Sequence, residues 1–318
     1  MLCRTANELF WMSRHIERAE NAARLLDVTY RMSLLPYEVV EPGLAWAEPW
    51  AVPLVTSGMA TSYYERFEAL AAENVLRLMI LDPANPSSIY SCLRAARESA
   101  RSVRGAITSE MYEDLNSAWL EMCDIDYATL EARGVSEFLD WVKMRSHLFR
   151  GVTFGTMLRD EAYHFLRLGT HLERADNTAR ILDVKYHTLL PSAADVGGAV
   201  DYYQWGALLR SVSGFESYRK IYSDVITPRR VAELLILRED MPRSLHASMN
   251  FIFESLERLC DNSSREVERA AGELHAKLHY GRADDIIEQG LHEYLMDFLE
   301  RISALGEGIS RHFLAPAY

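Results

Sequence analysis

The sequence predicts an all-α helical bundle made of two tandem, pseudo-symmetric copies of one unit. Three observations carry that prediction. The stretch from Phe10 to Tyr30, FWMSRHIERAENAARLLDVTY, returns at residues 165 to 186 as FLRLGTHLERADNTARILDVKY. Apolar residues recur at helical spacing in both stretches. No Asn-Gly hairpin and no alternating β pattern occurs along the chain. With His15 laid over His171, a shift of 156, ten of the fourteen positions from His15 to Val28 are identical. Identity carried by polar as well as apolar residues over so long a period indicates duplication rather than a heptad echo. The copies are read as residues 1–156 and 157–318, with about five helices each and one shared core.

The motif helix is expected over about residues 4 to 34, stopped near Pro36. Leu9, Met12, Ile16, Ala19, Ala23, Leu26 and Tyr30 form its apolar seam. Arg14, Glu17, Arg18, Asn21 and Arg24 lie opposite, but Leu25 and Val28 interrupt that polar arc, so the helix reads as enclosed. A Pro-rich loop follows at 36–53 with Trp46 and Trp50; its counterpart at 191–208 carries Tyr202, Tyr203 and Trp205. Long aromatic connections are read as a lid or contact surface, or equally as a cover for the open end of the core.

The copies come back into register at Ser57-Gly58 over Ser213-Gly214. A helix over about 64–82 is matched by one opening at Thr227-Pro228. Asn85-Pro86 introduces the next helix, IYSCLRAARESARSVRGA, matched by LHASMNFIFESLERLC. Thr108 to Glu131 and its partner around 263–281 are helical but barely similar. Glu137-Phe138-Leu139 then falls over Glu293-Tyr294-Leu295, and Gly151 and Gly155 are expected to break the chain between the copies.

Composition narrows the function classes. With 49% hydrophobic and 25% charged residues the chain is ordinary globular material. A net charge of -12 without a Lys/Arg run disfavours nucleic acid and anionic membranes as partners. Cys3, Cys92, Cys123 and Cys260 form no CxxC, which suits reduced thiols in the cytoplasm. Neither a signal peptide nor a span of transmembrane length is expected. There is no Gly-rich phosphate loop and no G-x-S-x-G elbow, so no nucleotide cofactor is expected.

The candidate site is the duplicated set Glu17, Arg18, Asn21, Arg24 and Glu173, Arg174, Asn177, Arg180, with Arg14 beside the first copy. Guanidinium forks hold carboxylate or phosphate in bidentate fashion, so paired arginines beside an enclosed Asn suit an anionic, peptide-like ligand. The competing reading is that each Glu pairs with an Arg of a neighbouring helix and fixes how the helices cross. His15 and His171 flank the apolar stripe, with Asp27 and Asp183 on its other edge. Two metal patterns are weak: Glu161-Ala-Tyr-His164 is not duplicated, and His275 with His279, near Glu273, rests on spacing alone. No metal is expected.

HIERAENAARLLD and HLERADNTARILD resemble the Glu-Arg signature of the bacterial alpha-E family, and Met1-Leu2 over Met157-Leu158 extends the likeness along the chain. Members are typically encoded beside, or fused to, circularly permuted ATP-grasp ligases and transglutaminase-like proteins. The resemblance implies a helical partner or co-catalytic subunit of an ATP-grasp amidoligase or peptide-modification system, not an enzyme by itself, and it leaves a homo-oligomer open. One alternative is an enzyme acting on amide or peptide substrates, with Glu17 or Glu173 as general base and Arg18 or Arg174 holding an anion. The other is a purely structural interaction protein.

Overall fold

The computed structural model describes residues 1–33, 49–188 and 199–315. Among them every regular element is helical, as the sequence predicts. Two long helices, α1 (Cys3–Ser33) and α9 (Glu161–Thr188), lie against each other at the centre. Around α1 pack α5 (Ile89–Ser102) and α8 (Val135–Thr156); around α9 pack α13 (Leu245–Leu259) and α16 (Leu291–Ile309). Further helices fill the remaining positions. These are α2 (Ala51–Thr56), α3 (Ala60–Tyr64), α4 (Ala72–Leu76), α6 (Ser109–Cys123) and α7 (Tyr127–Arg133) in the first copy. In the second they are α10 (Ala199–Ser211), α11 (Phe215–Tyr222), α12 (Pro228–Ala232), α14 (Arg265–His279) and α15 (Ala283–Gln289).

The sequence offset carries through to the elements. α5 and α13, α6 and α14, α7 and α15, and α8 and α16 each begin 156 residues apart. α4 and α12 both continue into a π turn, Arg77–Leu81 and Glu233–Leu237. Ser88 and Ser244 explain the tight passage that follows. Each hydroxyl caps the next helix, accepting from Ser91 N (3.1 Å) or Ala247 N (2.9 Å), and donates back to the carbonyl of Asp82 or Arg238. Gly134 and Gly290 open α8 and α16 at φ +95° and +99°, where a side chain would be strained.

The central crossing depends on one missing side chain. A Cβ on Gly169 would lie 2.1 Å from the carbonyl oxygen of Phe10 and 2.2 Å from Ser13 Oγ. α9 therefore meets the backbone of α1 at Gly169. One continuous apolar cluster runs through both copies, from Phe10, Leu26 and Phe138 to Phe165, Leu182 and Phe298.

Three expectations are corrected. About five helices per copy is too few, because eight are described in each half. Gly151 and Gly155 lie inside α8, and the chain turns instead between Thr156 and Glu161. The second aromatic connection is helical from Ala199, and Trp50 and Trp205 are 8% and 5% exposed, so they are core rather than contact surface. Of the other loop candidates Tyr202 is exposed, whereas Trp46 and the side chain of Tyr203 lie outside the described residues.

Candidate functional site

α1 and α9 exchange arginines. Glu17 accepts a two-pronged bond from Arg174, Nε to Oε1 at 2.9 Å and Nη2 to Oε2 at 2.7 Å. Glu173 accepts the equivalent fork from Arg18, at 2.6 and 3.0 Å. Each glutamate of one copy thus holds the arginine of the other, in the geometry that makes Arg–carboxylate pairs both strong and directional. The spacing that puts Glu, Asn and Arg on one side of each helix is what brings them to this crossing.

The surroundings of the two glutamates differ. Glu17, 1% exposed, also accepts from Arg243 Nη1 (3.0 Å) and Arg150 Nη1 (3.1 Å). Its neighbour Glu20 accepts from Arg24 (2.8 Å), Ser146 (2.6 Å), Arg150 and Arg243. Arg243 is fixed in turn: Asn21 Oδ1 accepts from it at 2.9 Å, and its carbonyl accepts from Thr178 at 3.0 Å. Two buried carboxylates are therefore enclosed by Arg24, Arg150, Arg174 and Arg243. On the other side, among the described residues, Glu173 receives Arg18 and Arg14 (2.9 Å), and Asp176 pairs with Arg180 of its own helix at 2.7 Å. At the positions matching Arg150 and Arg243 stand Gly306 and Ser87.

Those two small residues leave space. A cavity of about 640 Å³ opens beside Glu173, and Arg14, Arg18, Asn21, Glu173, Asn177 and Arg180 all line it, with Gly306 and Ser87 in its wall. Three arginines contribute donors there. Each guanidinium carries five N–H groups, and two nitrogens of Arg18, Nε and Nη2, are engaged by Glu173. Asn21 Nδ2 is buried without a hydrogen-bond partner. Formal charge is balanced, with Asp176, Glu173 and Glu307 facing Arg14, Arg18 and Arg180. A second cavity of about 850 Å³ lies on the far side of Arg174, lined by Arg150, Arg159, Arg167 and Arg258 with Glu254.

Electrostatics keep the carboxylates ionised. Burial pushes the pKa of Glu17 up, but Arg174 and Arg243 outweigh it and the net shift is downward. Glu20 goes well below its usual range, where Arg243, Arg150 and Arg24 together overcome burial. Glu173 is lowered by Arg18 and Arg14 against the same opposing burial. His15 is lowered to about 4 by burial and by Arg18, and His171 is lowered by burial and Arg174. Both imidazoles are thus neutral. Asp27 ties α1 to Lys143 (2.9 Å) and Ser136 (3.2 Å) of α8, and Asp183 meets His292 at the matching place on α16.

Of the sequence candidates, Arg14, Glu17, Arg18, Asn21, Arg24, Glu173 and Arg174 join the crossing, while Asn177 and Arg180 line only the cavity. Sequence reasoning missed Glu20, Arg150 and Arg243. The metal patterns come apart: Glu161 pairs with the amino terminus of Met1 (2.7 Å), and Glu273 pairs with Arg269 (3.4 Å). His279 instead approaches His246 and Glu239.

A helical architecture with a Glu-Arg pair in each central helix defines the class. The family described as a predicted α-helical domain with a conserved ER motif, Alpha-E, matches residues 1–314. The chain belongs to the Alpha-E family. It is 25% identical to an uncharacterized protein of Mycobacterium bovis over 95% of this chain, and 24% identical to one of Mycobacterium tuberculosis over the same share. The chain spans 35% of the length of these relatives. No solved structure matches. Among the described residues no helix is long and apolar enough to cross a membrane.

Proposed function

We propose that this chain is a cytoplasmic helical partner of an ATP-grasp amidoligase or peptide-modification system. On this reading it takes an anionic, peptide-like segment, of the ligase or of its substrate, into the cavity beside Glu173. The observation that carries the reading is the convergence of six motif side chains, three of them arginines, on one cavity. A ligand carboxylate would meet Arg14 and Arg18, and a ligand amide carbonyl would accept from Asn177. The balanced charge of the wall favours a peptide carrying amides and a carboxylate over a polyphosphate, which would need an excess of cations. In the mycobacterial relatives most of the chain lies outside the matched stretch, as suits a module that works beside other domains. The ligase, and a transglutaminase-like protein as a further partner, come from the family resemblance.

The motif then divides its labour. The Glu17 side accounts for the structural reading, since a carboxylate filled by three arginines acts as a clamp. The Glu173 side supplies the binding surface. An independent enzyme with either glutamate as general base gains no support, because both pKa values are lowered rather than raised toward neutrality.

The test fills the cavity without touching the clamp. A Cβ on Gly306 meets nothing within 4 Å, so Gly306→Arg places at that site the residue its counterpart position already has. Wild type and Gly306→Arg, with matched circular-dichroism melts, are used as bait in the native cell. Recovery of an ATP-grasp ligase by wild type and its loss from the folded variant supports the proposal. Equal recovery by both, or no ligase with wild type, refutes it.

A further inference from the structure

We propose that Glu239, His246 and His279 form a binding site for one zinc-class divalent metal ion, at a place separate from the motif cavity. The three side chains come from different elements. Glu239 follows the π turn Glu233–Leu237, His246 stands in the first turn of α13, and His279 ends α14. Their ligand atoms lie within 4.8 Å of one another.

His246 carries the argument. Its Nδ1 lies 2.7 Å from the carbonyl oxygen of Leu237. A carbonyl can only accept, so the proton is on Nδ1 and the lone pair of the neutral ring is on Nε2. Such a carbonyl contact is the usual means of fixing a metal-binding imidazole. Nε2 itself is buried and has no hydrogen-bond partner, in a residue only 4% exposed. A buried acceptor left unmatched is destabilising. An ion on Nε2 removes that penalty.

The other two ligands can close on it. Donor atoms around a tetrahedral zinc sit ~3.3 Å apart, given Zn–N and Zn–O bonds of about 2.0–2.2 Å. Glu239 and His279 are both exposed, so rotation of their side chains spans the difference. His275, though near, is turned away: its Nε2 meets Asn250 Oδ1 at 2.7 Å and its ring stacks on Phe253 at 5.0 Å. Two imidazoles and one carboxylate suit a borderline ion such as zinc and not magnesium or calcium, which take oxygen donors. Water would complete the shell. The first copy has Pro83, Tyr90 and Cys123 at these positions, so this set belongs to the second copy alone. A bound ion would also pin residues 237–246, the segment that delivers Arg243 to Glu17.

The test uses the full, tag-free chain, stripped by a chelator and titrated with zinc chloride by calorimetry near neutral pH. His279→Ala and Glu239→Gln alter exposed ligands, and His312→Ala is the control at an exposed histidine elsewhere. Expected are one ion per chain in wild type and control, and affinity weakened about tenfold or more in His279→Ala and less in Glu239→Gln. Zinc should also raise the melting temperature of wild type and not that of His279→Ala. No binding up to millimolar zinc, or equal affinity in wild type and both ligand variants, overturns the site.

Discussion

Replacing Glu17 with glutamine tests the buried charge cluster at its centre. The amide keeps the shape but removes one of the two charges that neutralise Arg24, Arg150, Arg174 and Arg243, leaving Glu20 alone among them. Arg174 and Arg243 expose 9% and 8% of their side chains, so water cannot take over. Breaking a buried ion pair from one side costs about 3–5 kcal/mol, and for a chain of this size each kcal/mol lowers the melting temperature by about 2 °C. Glu17→Gln should therefore melt about 6–10 °C lower. Glu173→Gln removes a carboxylate with the same two-pronged bond, but Arg14 and Arg18 expose 22% and 25% of their side chains and border the cavity. Solvent reaches them, and the loss should be about 1–2 kcal/mol. Thermal melts and urea titrations with unchanged slope give both values. Equal losses at the two sites, or a Glu17→Gln loss below about 1 kcal/mol, would refute the division between clamp and cavity.

Acid should unfold the protein in two stages. His15 has a folded pKa lowered to about 4 from an ordinary 6.5, so its contribution is complete above pH 6.5 and is lost as the pH falls toward 4. Glu17, Glu20 and Glu173 are lowered from 4.5, so theirs is complete above 4.5 and is lost below it, as the pH falls through the folded values. Urea midpoints measured against pH should fall across the upper window in wild type and less in His15→Phe; parallel curves would exclude His15 as the cause. Gly169→Ala should cost about 1–3 kcal/mol, because its methyl would overlap the carbonyl of Phe10, whereas Gly306→Ala should stabilise by about 0.5–1 kcal/mol. Chemical denaturation of the two variants decides this, and a neutral Gly169→Ala would mean that the central helices do not meet there.

The bundle and its central helices were legible because the repeat preserves polar residues together with an apolar seam. The pairing of each Glu with an Arg of a neighbouring helix was also readable, as one of two uses of the motif. Arg150 and Arg243 were not, since they come from α8 and from the turn before α13, where the copies differ. The signal lay in those differences: Arg150 over Gly306 and Arg243 over Ser87 are large-for-small exchanges, which identity between copies does not report. Trp50 and Trp205 misled for another reason. Proline and glycine around them read as loop, yet Pro53 sits in the first turn of α2, where a missing N–H does no harm. His246 carries no periodic signal, and only the turn after Leu237 brings it to His279.

The large-for-small exchanges bear on why a duplicated motif should keep both glutamates. A pair of reciprocal Glu–Arg forks would hold α1 to α9 with identical surroundings on the two sides. Here one side adds two arginines and closes over Glu17, and the other omits both and opens at Glu173. Adding Arg150 and Arg243 puts two further cations against Glu17 and Glu20, which makes that half rigid because every buried charge there has a partner across an element boundary. Arg14 and Arg18 can present unused N–H groups to a ligand only while Glu173 holds them in place, and Glu173 is held because its helix is clamped through Arg174, the next residue. Glu173 at the cavity and Arg174, which clamps Glu17, are successive residues of one dipeptide on α9, so a substitution at Arg174 should reach the cavity through Glu173 without lining it.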